Sequence, residues 1–214
     1  MTTNAAQHTM NTAWVWGGSL LIASAVIPSA LQGVYEPVIR EVGFWAATLA
    51  FTAAMMLFAF GWQGSRSVVG RERYGIIGLI ALALVPLAGV IVTGAIPASV
   101  QEEQSFVTAY SYSLLLLQLV AATLAVVAVW RGGAVSRPWN RVPAWGLAAL
   151  VGVTVATQLI AVATMSQDQV ALTLLWQVLS LVGFVVPVGL GILAIVLGMR
   201  TEPRPPVAVY PPPA

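Results

Sequence analysis

Cysteine and lysine are both missing from this chain, and histidine occurs once, at His8. Without cysteine there is no disulfide, no thiolate metal site and no thiol nucleophile. A single histidine neither ligates a haem from both faces nor builds a zinc site of several imidazoles. Charge is scarce too. Only 7% of the 214 residues are charged, against about 25% in soluble domains. That leaves too little polar surface for a water-soluble globule. Neither H-E-x-x-H nor G-x-x-x-x-G-K-[ST] occurs, which removes zinc proteases of the first type and ATP binding through a P-loop.

What is present is hydrocarbon. Hydrophobic residues make up 59% of the chain, and mean hydropathy is +0.89. Six apolar runs follow one another: 14–31, 44–62, 74–98, 107–130, 142–165 and 170–199. A spanning helix needs about 20 residues. Helix is expected because lipid cannot satisfy free backbone groups, and the alternating pattern of a membrane barrel is missing. The expected fold is therefore all-α: a polytopic integral membrane protein with a six-helix transmembrane bundle. Residues 1–13 form a polar N-terminal segment, 14–199 the membrane domain, and 200–214 a Pro-rich tail that is expected to be disordered. The sequence around Pro28 resembles a signal-cleavage site. Without a basic segment before it, the first run is expected to be retained as a span.

All nine basic residues are arginine, and eight fall on one side of the expected bundle. The topology determinants are Arg66, Arg71 and Arg73 in one loop, Arg131, Arg137 and Arg141 in another, and Arg200 at the tail, where Arg204 follows. The other side carries Arg40 among Glu36, Glu41, Glu102, Glu103 and Asp168. The positive-inside rule then places both termini in the cytoplasm of a cell membrane. Topology explains the net charge of +2 without nucleic acid. Trp14, Trp16, Trp62, Tyr74, Trp130 and Trp145 fall near the inner interface, with Tyr35, Trp45 and Tyr110 near the outer one, at the depth that amphipathic rings prefer. Arg in place of Lys, with abundant Ala, Val and Gly, fits a GC-rich bacterial genome.

A shift of 68 residues aligns Trp62 with Trp130, Gly64 with Gly132, Arg73 with Arg141 and Gly78 with Gly146. Either a helical hairpin has been duplicated in tandem, or basic loops between Ala- and Leu-rich helices simply look alike.

No Asp, Glu, Arg or His lies inside any run. Intramembrane charges mark ion paths and proton relays, so a pump is disfavoured. A Ser–His or Cys–His nucleophile would have no base at depth. The polar groups at depth are neutral: Gln118, Thr154, Gln158, Gln177 and Ser180 form a candidate interior cluster. Thr173, Gln177, Ser180, Pro187 and Gly191 fall near one face of the last helix. Ala148, Gly152 and Ala156 make a stripe of small residues in the fifth, of the kind that lets helices approach. Pro86 and Pro187 lie well inside their spans and are candidate hinges.

The expected function is a non-catalytic subunit, scaffold or regulator of a membrane complex. The alternative is a small permease or channel-like protein for a neutral or lipophilic solute, and a membrane enzyme ranks last. No cofactor and no metal is expected. The lipid bilayer is the expected partner, with a second copy or another membrane protein beside it.

Overall fold

The computed structural model describes residues 12–61, 67, 72–96, 104–132, 139–164 and 169–199. These form six long helices, α1 (Thr12–Ala30), α2 (Pro37–Phe60), α3 (Arg73–Ala95), α4 (Gln104–Gly132), α5 (Val142–Thr164) and α6 (Gln169–Met199). A short 3-10 turn, Trp139–Arg141, leads into α5. Among the described residues there is no strand. Five helices, all but α5, are long and apolar enough to cross a membrane within the described residues. The chain is an all-α, polytopic membrane protein. Arg66, Arg71, Arg137, Arg200, the N-terminal residues to 11 and the tail lie outside the described residues.

The helices follow the apolar runs closely, except at one end. α2 begins at Pro37, seven residues before the run at Phe44, and takes in Arg40 and Glu41. Pro37 sits in the first turn, where its fixed φ suits the helix and its missing N–H is not needed. Glu36, extended at φ −68° and ψ 114°, is the N-cap. Arg40 and Glu41 thus belong to the first turns of α2. At its other end α2 stops at Gly61, whose φ of 72° favours glycine. The Gly61 N–H bonds the carbonyl of Leu57, and the Ser67 hydroxyl donates to that of Phe58 at 3.1 Å.

Each helix packs on its neighbours in sequence, and α1 also packs on α6, which closes a ring. Among the described residues no two helix backbones approach closely across that ring. Neighbours run antiparallel. Gly17 of α1 meets Phe58 near the end of α2, while Gly43 near the start of α2 meets Leu31 and Ile27. Gly78 of α3 meets Ala121 and Ala125 of α4, while Gly89 meets Leu114. All six helices therefore present one set of ends together. Arg73, Arg131 and Arg141 mark that end, here called the basic end. Trp16, Tyr74, Trp130 and Trp145 are exposed near it, and Tyr35 is exposed at the other. Trp14 departs from the belt and is buried in the core.

Alanine dominates the buried positions: Ala13, Ala54, Ala59, Ala83, Ala121, Ala125, Ala128 and Ala194. Small side chains let helices approach where lipid gives no hydrophobic drive to associate. The closest approach closes the ring. A Cβ on Gly18 would lie 2.5 Å from the Gly191 carbonyl oxygen, and one on Gly191 would lie 2.7 Å from that of Gly18. By contrast, a Cβ on Gly152 would meet nothing within 4 Å, and Ala148 is exposed. The small-residue stripe of α5 points outward there, so close helix contact runs through other glycines. The two glycines aligned by the 68-residue shift do behave alike. Gly78 faces the helix after its own, α4, and Gly146 faces α6 through Val186 and Leu190.

Candidate functional site

A ring whose backbones stay apart across it leaves space at its centre. The space is a cleft of about 460 Å³ lined by residues of all six helices. Its walls include Trp14 and Leu21 from α1, Phe51, Met55 and Phe58 from α2, and Leu79 and Leu82 from α3. The contributions of α1, α3 and α5 come mainly from their first halves, and those of α2, α4 and α6 mainly from their second halves, with Pro86, Leu115, Thr154 and Val155 just across the middle. In an antiparallel ring this puts most of the cavity toward the basic end, with its far side past the middle of the bundle. None of the lining residues is ionisable.

Two polar side chains interrupt the apolar wall, Gln118 from α4 and Thr154 from α5. Gln118 lies nine residues beyond Ala109, where the apolar stretch of α4 starts, or about 14 Å at 1.5 Å per residue. That is close to the midplane of a hydrocarbon core about 30 Å thick. Gln118 makes no hydrogen bond among the described residues. Its amide offers two donors and a carbonyl acceptor.

Pro86 and Pro187 both reach the cavity wall. Their helices continue through them, yet each proline removes a backbone donor and loosens the ladder before it. On α3 the loosened turn is tied to a neighbour, since the Thr52 hydroxyl donates to the Ala83 carbonyl at 3.0 Å. Nearer the other end, the Tyr110 hydroxyl of α4 donates to the Gly89 carbonyl at 3.4 Å.

The remaining polar residues form a second group. Thr173, Gln177 and Ser180 of α6 face Ser29 in the last turn of α1 and Gln32 just beyond it, around an open cleft of about 470 Å³ that Leu181 and Phe184 complete. The polar stripe of α6 thus runs along the seam with α1. Its other end is Gly191 against Gly18. The five residues expected as one cluster fall in two places. Gln118 and Thr154 share the central cavity. Gln177 and Ser180 sit in the cleft toward the other end. The side chain of Gln158 lies outside the described residues.

Comparison with protein-family models, with curated proteins and with solved structures finds no match for this chain.

The apolar lining could not be picked out from sequence. Phe51, Leu79 and Leu190 look the same as lipid-facing residues until the ring assigns each helix its inner face. Of the lining residues, Gln118 and Thr154, polar at depth, and the prolines Pro86 and Pro187 were the ones that stood out in the sequence.

Proposed function

We propose that the protein holds a neutral, largely apolar small molecule in its central cavity and works as a small permease for such a solute. The observation that carries this reading is the closed ring of six helices around a cavity whose wall is apolar except at Gln118 and Thr154. Its volume lies within the range of ligand pockets, about 300–1,000 Å³. An amide buried in hydrocarbon without a partner costs several kcal/mol, and a hydroxyl or carbonyl on the solute would relieve that cost. Among the described residues the lining is uncharged, which disfavours ions as cargo. α5, 23 residues without a charge, serves as the sixth span. The basic end faces the cytoplasm of a cell membrane, both termini lie there, and most of the cavity lies toward the cytoplasmic side.

Native mass spectrometry of the protein released from mild detergent tests the proposal. The wild type should retain a neutral small molecule at one per chain. Gln118→Leu should lose it at least tenfold, with its melting temperature within about 2 °C of wild type. A chain that carries no small molecule and co-purifies with a stoichiometric membrane protein would instead support a complex subunit.

A further inference from the structure

The cavity wall is uneven. Most of its lining residues are buried or half-buried. Three are exposed: Leu115 at 43%, Trp139 at 38% and Val155 at 51%. All three flank one seam, between α4 and α5. Leu115 lies on α4, Val155 lies on α5, and Trp139 stands in the 3-10 turn that precedes α5. This seam is also where the ring is thinnest. α4 and α5 meet sparsely, whereas the equivalent pair in the 68-residue shift, α2 and α3, packs closely. Gly78 lets α4 close on α3, but α5 turns its Gly146 toward α6 rather than α4. A side chain that both lines the cavity and reaches the outer surface marks where the two spaces join.

Depth decides what lies outside. Leu115 is six residues beyond Ala109 in the apolar stretch of α4, about 9 Å into the hydrocarbon. Gln118 is one turn further along the same helix, and Thr154 adjoins Val155. The opening therefore faces acyl chains, and the polar pair stands just inside it.

We propose that the α4–α5 seam is a lateral portal. A membrane-dissolved lipophile with one hydroxyl or carbonyl group passes through it to Gln118 without crossing water. This rests on the binding proposed above and adds the route and the solute class. The solute resides in the bilayer, its apolar body slides between Leu115 and Val155, and its polar group exchanges lipid for the Gln118 amide.

The probe is a long-chain alcohol bearing a diazirine, loaded into phosphatidylcholine vesicles and fused with vesicles that hold the full chain. Photolysis at successive times, followed by peptide mass spectrometry, should place adducts on cavity residues such as Leu119 and Val151. Excess unmodified alcohol should suppress them. The double variant Leu115→Trp with Val155→Trp should slow the approach to the final level at least fivefold, each time course being scaled to that protein's own equilibrium labelling in detergent. Competed cavity adducts that form at the wild-type rate in the double variant would overturn the portal and leave the binding intact. No competed cavity adduct in either medium would overturn the binding itself. A nitroxide on Val155→Cys keeps the portal testable if the double variant does not fold. It should collide freely with oxygen and rarely with a water-soluble nickel chelate. Frequent collisions with nickel would mean a water-filled mouth, and rare collisions with both would mean a second copy or partner seated on the seam. Either result overturns the portal.

Discussion

The hydroxyl of Thr52 on α2 donates to the carbonyl oxygen of Ala83 on α3 at 3.0 Å, in the turn that Pro86 loosens. Pro86 takes the intrahelical donor from the Leu82 carbonyl, and the neighbouring helix ties down the same turn through the next carbonyl, that of Ala83. Thr52→Val keeps the shape and removes the donor. It should lower stability in detergent by about 0.6 kcal/mol, the usual worth of an interhelical hydrogen bond in a membrane. A melting curve of the variant beside Thr123→Val checks it, because the Thr123 hydroxyl bonds only within its own helix, to the carbonyl of Leu119. Equal losses would mean that the bond across the helices contributes nothing of its own.

The seam between α1 and α6 depends on two glycines. Gly18→Val would drive a side chain into the backbone of Gly191, and backbone yields little. Overpacking of this kind costs about 1–3 kcal/mol. Gly152→Val, where a Cβ meets nothing within 4 Å, should leave the melting temperature within about 1 °C of wild type. If both substitutions are tolerated equally, helices α1 and α6 do not touch in the membrane.

Asn140 is 5% exposed, and its Oδ1 has no hydrogen-bond partner among the described residues. A buried acceptor left unpaired is a standing cost, and replacement by an apolar group of similar shape is near neutral or stabilising. Asn140→Leu should therefore hold or raise the melting temperature. A loss of more than about 1 kcal/mol, on the scale of a net hydrogen bond, would mean that the carboxamide is paired in the membrane.

The placement of the arginines predicts the orientation. The chain has no cysteine, so single cysteines report cleanly. In intact cells, Ser67→Cys, Ser136→Cys and Thr201→Cys should resist an impermeant thiol reagent, and Gln101→Cys and Gln167→Cys should label. The reverse pattern would turn the bundle over and put most of the cavity toward the outer side.

The six helices were legible because hydrocarbon demands long unbroken apolar runs, and a run of that length has little else to be. The start of α2 was not. Arg40 and Glu41 look like loop residues, and only the backbone preference of Pro37 pulls them into the helix. The closing of the ring left no local trace, since Gly18 and Gly191 are separated by nearly the whole chain. Helical phase was legible along α6, where Thr173, Gln177 and Ser180 do share one side. Which neighbour that side would meet depends on the order of the ring. For the same reason Gln118 could be singled out as an amide at depth, while Gln177 could not be assigned to a different space.

The meeting of α1 with α6 also sets a clock on biosynthesis. Gly18 and Gly191 are 173 positions apart (191 − 18). At about 5–20 residues per second, a ribosome needs about 9–35 s to make the chain between them. Through that interval the first helix waits in the bilayer, its glycine face covered by lipid or by insertion machinery. Helix α6, made after the other five, is the one that closes the ring. A nascent chain arrested before α6 is therefore an open arc with two bare flanks, a shape that membrane quality control could tell apart from the finished protein.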